Sequence, residues 1–259
     1  MIDIIIPTRK SKIRNPDTVH SNVYGFIRSA LGLHHLPDDE ILSIMKKTPV
    51  IEFCLEILKK TTDSTKTPYN IIISESDKGF IDAVNKVLMS SRNDVLLLND
   101  DVFLSMGWLE KLLSCKKGDI RGCKLLYPNG AIQHAGGSLT RGFRGVQLGQ
   151  LHCDLGQFDR VYEVVYVTFA CAYIKRKVIN KVGLLDPIYG LWYFDDLDYC
   201  CRARELGFHS YYVPVPVVHL EGTSLDQIPE MKAHFDRNQE IFSKKWVDNE
   251  EKFKHLFIK

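Results

Sequence analysis

No stretch of this chain is apolar for long enough to cross a bilayer. The longest run, VVYVTFACAYI at 164–174, falls well short of the roughly 18 uninterrupted apolar residues a membrane helix needs. The opening MIDIIIP is too short for a signal peptide and enters a strand directly, so no secretory leader is expected. Seven cysteines, an odd number without a CxxC pair, give no zinc-ribbon or thioredoxin spacing. They suit a reducing cytoplasm in which thiols serve as small buried apolar groups. An excess of one charge is missing too: 34 Lys+Arg against 32 Asp+Glu leave +2, which gives no reason to expect a nucleic-acid surface. Any partner has to be read from a site.

What the chain does have is apolar material in short, bounded runs. Its 259 residues, 45% of them apolar, suffice for one α/β domain with its own core. IDIIIP (2–7), YNIIIS (69–74) and DVLLLN (94–99) are runs of the kind found in parallel strands buried on both faces. Between the second and third, GFIDAVNKVLMSSR places Phe80, Val84, Val87 and Leu88 on one helical face. Before the second, PVIEFCLEILKK repeats the pattern with Ile51, Leu55 and Leu58, started by Pro49. Strands alternating with helices predict a doubly wound, mainly parallel sheet. Residues 9–48 are too long for an ordinary βα loop and are expected to carry one or two helices, as a lid or as a passive insertion.

The second half predicts a strand over DIRGCKLL with a turn at Pro128-Asn129-Gly130. A strand pair or bent strand follows through VYEVVYVTFACAYI, then helices from Lys175 and from near Asp196, and an extended HSYYVPVPVVHL. From Leu225 to Trp246, and on to Phe257, the pattern is helical and amphipathic, so the tail should pack back on the domain. Its lysines and Arg237 are compatible with weak contact to a membrane surface, although interleaved acids favour a solvated face.

In open α/β sheets, ligands bind beyond the carboxyl ends of the strands. Here those ends read Pro7-Thr8, Ser74-Glu75-Ser76-Asp77 and Asn99-Asp100-Asp101, polar at all three places. Asn99 and Asp101 share one side of an extended strand, a geometry suited to a hard cation that also holds phosphates. The alternative is that Asp100 or Asp101 caps a helix near Ser105–Trp108. Asp195, Asp196 and Asp198 form a second acidic cluster, which is either a first-turn cap or a site whose mutual repulsion something offsets. The preceding Trp-Tyr-Phe offers either core packing or a face on which a sugar ring stacks. His219, at the end of the last strand, is a structural residue or an available imidazole.

In this order the pieces resemble an inverting family 2 glycosyltransferase of the GT-A fold, in its rhamnosyltransferase-like branch. IIIPT, IIISESDKGFIDAVN, LLLNDDV, NGAIQHAGG, VTFACAYIKRKVINKVGLLDP, YFDDLDYCCRARELG, VVHLEGTS and RNQEIFSKKW carry the likeness, over residues 1–8 and about 49–246. The resemblance implies a GT-A, Rossmann-like domain over 1–246, a mixed, mainly parallel sheet flanked by helices, with a helical tail at 247–259. It implies that Pro7, Thr8, Glu75, Asp77, Asn85, Asn99 and Asp100 hold a nucleotide sugar, and that Asp101 and His219 contact Mn²⁺ or Mg²⁺. Asp196 takes the place of the general base. Trp192, Asp195 and His134 stand where acceptor contacts fall, and Gln133 where donor or acceptor contacts do. The implied reaction takes a UDP- or dTDP-sugar to a glycan or lipid-linked acceptor in polysaccharide synthesis, in the cytoplasm or at a membrane's inner face. Three departures stand out: Asn99 for the usual Asp, Ser74-Glu75 for Asp-Asn, and Asp195 for Glu. A sugar nucleotidyltransferase would carry a glycine-rich loop after the first strand, which PTRKSK lacks; an inactive carbohydrate-binding protein of the same fold would need no base.

Overall fold

The aliphatic runs become neighbouring strands because each presents apolar side chains to both faces. Strand β1 (Ile2–Thr8) pairs in parallel with β2 (Tyr69–Glu75) and with β3 (Asp94–Leu98). In β3, Val95 and Leu97 face one core while Leu96 and Leu98 face the other, the two-residue period of an extended chain. The computed structural model describes residues 1–8, 28, 32–220 and 230–257; most of the proposed lid at 9–48 lies outside the described residues, apart from Arg28 and 32–48.

Within it, α1 (Asp38–Lys47) precedes α2 (Val50–Thr61), and α3 (Phe80–Ser90) links β2 to β3. After β3 come β4 (Val102–Phe103), α4 (Trp108–Ser114), β5 (Ile120–Leu126), β6 (Ile132–His134), β7 (Gly137–Leu139), β8 (Gly145–Gln147), β9 (Tyr162–Val164) and β10 (Cys171–Ile174). The chain closes through α5 (Arg176–Val182), α6 (Asp195–Glu205), β11 (Ser210–His219), α7 (Glu230–Trp246) and α8 (Glu250–Phe253). The sheet runs β2-β1-β3-β10-β5-β11-β4, with β6 on β5 and β9 on β11. It is mixed and mainly parallel, its longest registers being β1–β2 and β5–β11, while β10 and β4 run antiparallel.

Helices α1, α2 and α4 cover one face, contributing Ile41, Phe53, Leu58 and Trp108. On the other, α3, α5, α6 and the carboxy-terminal helices contribute Val84, Ile179, Tyr199, Phe242 and Trp246. The apolar side of the tail is therefore turned inward, and Phe253 of α8 is fully buried against Phe143 and Trp246. Among its described side chains, Lys232 pairs with Asp236, Lys244 with Glu240, and Lys245 with Asp186 and Asp198. Among the described residues no helix is long and apolar enough to cross a membrane. All seven cysteines are free.

Candidate functional site

The first acidic cluster is built by a sharp turn at the end of β3. Val102 donates its N–H to the Asn99 carbonyl (3.3 Å), and β4 then runs antiparallel to the end of β11, setting Val102 opposite His219. Leu220 N–H closes the junction on the Asp101 carbonyl at 3.1 Å. That register brings Asp101 Oδ1 to 3.1 Å from His219 Nε2. Neither aspartate caps a helix: α4 begins after Gly107, in the left-handed region, without a side-chain cap.

Behind His219, Gln133 Oε1 lies 2.8 Å from Nδ1. An amide oxygen only accepts, so the proton sits on Nδ1 and Nε2 is aimed at Asp101. Asn99 Nδ2 stands 3.4 Å from the same Nε2, while Asn99 Oδ1 is buried with no hydrogen-bond partner among the described residues. Asp100 points the other way, toward β1, and accepts a hydrogen bond from Thr8 Oγ1. Burial and then the adjacent Asp101 charge push the Asp100 carboxyl up to about 7, against the pull of the Thr8 hydroxyl.

The second cluster opens α6. Its N-cap is Phe194, and Asp195 and Asp196 are the first two helical residues. Asp196 is half-buried; its Oδ1 accepts from Leu197 N–H at 2.7 Å, and the Phe169 amide and Thr168 hydroxyl also reach it. Burial still prevails over these bonds and raises its carboxyl to about 6. Asp195, the deeper of the two, is shifted well above the carboxylate range, first by burial and then by the adjacent Asp196 charge. Asp198 belongs to the core. Fully buried, it accepts from Tyr189 Oη (3.2 Å) and Trp246 Nε1 (3.0 Å) and pairs with Arg202 (2.8 Å) and Lys245 (2.8 Å).

Both clusters face one cleft of about 650 Å³, a size usual for small-molecule sites. Pro7, Thr8, Asn99, Asp100, Asp101, Trp192, Asp195, Asp196 and His219 line it, as do Ser76 and Gly79 from the turn after β2. Glu75 and Asp77 flank Ser76 on the exposed rim rather than on the lining. Asn85 lies away from the lining, its amide engaged at both ends with the Leu185 backbone at 2.9 Å. His134 is likewise behind the wall: fully buried, its pKa lowered to about 4 by burial, it accepts from Thr168 N–H at 3.3 Å. It touches the residue that touches Asp196.

Sequence reading passed over Thr168, Gln147, Gln150 and Phe235, which also line the cleft. Phe235 comes from α7, remote in sequence, and is 43% exposed although its ring packs on Tyr193 (5.5 Å) and Phe194 (5.2 Å). Its only sequence signal is an aromatic residue on the tail helix beside the resembling RNQEIFSKKW.

No protein-family model matches the chain. Two curated relatives do. The uncharacterized protein y4gI of Sinorhizobium fredii is 32% identical over 178 residues, 62% of this chain and 19% of that protein. The O-antigen biosynthesis protein RfbC of Myxococcus xanthus is 31% identical over 149 residues, 52% of this chain and 12% of that one. The chain thus spans less than a fifth of the length of either relative. Among solved structures, GalNAc-T7 with UDP, GalNAc and Mn²⁺ superposes over 95% of this chain and 49% of that one, with a TM-score of 0.52 and 13% identity. At that identity the likeness is one of fold, and the fold is GT-A.

Proposed function

We propose that the protein is an inverting, metal-dependent glycosyltransferase that moves a sugar from a nucleoside-diphosphate donor, UDP- or dTDP-linked, to an acceptor hydroxyl in polysaccharide synthesis. The observation that carries this reading is the convergence of two separate carboxyl clusters on one cleft: Asp100 and Asp101 with His219 at the strand ends, and Asp196 at the start of α6. RfbC is named for O-antigen biosynthesis and the GalNAc-T7 structure holds UDP and Mn²⁺, both consistent with this ligand class.

Among the described residues no group of three or more His, Cys, Asp or Glu is placed to hold a metal ion. A cage made wholly of such side chains is not required, because Mg²⁺ and Mn²⁺ commonly take one or two protein ligands plus substrate oxygens. Asp101, His219 and the unsatisfied Asn99 Oδ1 supply a carboxylate, an imidazole and an amide oxygen, a donor set that fits such a cation. When bound there, the ion neutralises charge on the departing diphosphate.

The remaining work falls to side chains. Thr8 and Asp100 face the nucleotide, with Ser76 and the rim residues Glu75 and Asp77 toward the base. Trp192, Tyr193 and Phe235 offer aromatic faces to a glycan or lipid-linked acceptor, with Asp195 beside them on the lining. The acceptor oxygen attacks the anomeric carbon opposite the leaving group. One carbon–oxygen bond forms as the bond to the β-phosphate oxygen breaks, and the hydroxyl proton passes to Asp196. A single displacement inverts the configuration and needs no covalent enzyme intermediate.

Calorimetric titration with UDP tests the metal-binding half. Wild type should bind UDP more tightly with Mn²⁺ than without, and Asp101→Ala should lose that difference. Equal wild-type affinities in the two buffers would remove the metal role.

A further inference from the structure

We infer that Asn238 is a positioning residue whose buried amide clamps the strained turn at 192–194 and thereby sets where Asp196 presents its carboxylate. The inference rests on the reading of Asp196 as the general base.

Tyr193 and Phe194 have φ of 69° and 71°. Side chains other than glycine seldom occupy this left-handed region, and such strain persists only where the surroundings over-determine it. Two in succession stand directly before Asp195 and Asp196, so the direction in which α6 starts depends on this turn being held.

Asn238 of α7 is fully buried, and its Nδ2 lies 2.8 Å from the Tyr189 carbonyl, 3.0 Å from that of Trp192 and 3.1 Å from that of Tyr193. On the other side, Arg237 Nη1 donates to Asn238 Oδ1 at 2.7 Å. Three carbonyls on one end and a guanidinium on the other admit a single amide orientation. His234 Nε2 adds contacts of 3.0 and 3.1 Å to the Tyr189 and Trp192 carbonyls. Asparagine is a weak helix former, and here its side chain is engaged by the three carbonyls, by Arg237 and, at 3.2 Å, by His234 Nε2 of its own helix. The apolar side of α7 attaches the helix to the core through Phe242 and Trp246; Asn238 ties that helix to the backbone leading into the base.

Asn238→Asp keeps the shape but sets a carboxylate oxygen against three carbonyls. It is expected to lower kcat roughly 10²-fold, the scale on which a misplaced catalytic group is felt, with donor KM unchanged. Amide hydrogen exchange should accelerate within 190–197 and stay unchanged across the β1–β3 sheet. Should Asn238→Asp not fold, Asn238→Ala removes the donors without adding charge and carries the same comparison. A second arm separates clamping from packing: glycine takes the left-handed region without penalty, so Tyr193→Gly should shrink the fold-loss caused by Asn238→Ala. An equal loss in both backgrounds, or unaltered exchange at 190–197, would overturn the clamp. If wild type turns over no donor, the transferase reading fails, while the exchange comparison still upholds or overturns the clamp on its own.

Discussion

Asp196→Asn is expected to lower kcat for sugar transfer by roughly 10²–10⁴-fold, the contribution typical of a positioned general base, with nucleotide affinity retained. The substitution is nearly isosteric and keeps an oxygen to accept from Leu197 N–H, so it removes proton acceptance without removing the local fold. The same carboxyl sets a pH dependence. Burial raises it to about 6, so a growing fraction is protonated, and unable to accept the acceptor's proton, as pH falls through that value. Wild-type kcat should therefore show an acidic limb near pH 6, while the residual rate of Asp196→Asn shows none from this group. Transfer by Asp196→Asn at wild-type rate would remove this residue from the chemistry.

The second large effect is on stability. Asp198→Ala is expected to destabilise the protein by about 3–5 kcal/mol, the usual result of removing one partner of a buried charged network. The loss leaves Tyr189 Oη and Trp246 Nε1 as buried donors without their acceptor, and takes from Arg202 and Lys245 the carboxylate between them. In thermal unfolding this is a fall in Tm of roughly 6–20 °C, taking about 2–4 °C per kcal/mol for a domain of this size. A shift below about 2 °C would mean that α6 and α7 are held together by the aromatic packing of Phe194, Phe242 and Trp246 instead.

These two aspartates, two residues apart, mark the limit of what spacing reveals. DDLD announces an acidic helix start but does not distinguish its members. In three dimensions Asp196 opens on the cleft, Asp195 is buried beside it, and Asp198 turns into the core toward Trp246, a partner 48 residues away that no local pattern indicates. The strands were legible because β1 and β3 need apolar side chains on both faces, and IDIIIP and DVLLLN say so directly. The pairing of Asp101 with His219 was legible only through family resemblance, because it depends on the β4–β11 register. Asn85 and His134 illustrate the opposite outcome: both sit in matching stretches, yet one fastens Leu185 and the other supports Thr168 from behind. Phe235 and Asn238 reach the site from α7, and a contact across more than 40 residues leaves no period in the sequence.

Sugar transfer from a nucleotide donor in this cleft is tested most directly by product release. Purified protein is incubated with Mn²⁺, a panel of nucleoside-diphosphate sugars and glycan or lipid-linked acceptors, and free nucleoside diphosphate is measured beside the Asp196→Asn variant. Wild type should give acceptor-stimulated release from at least one donor, and the variant only background. Identical background from both proteins with every donor and acceptor would contradict sugar transfer in this cleft.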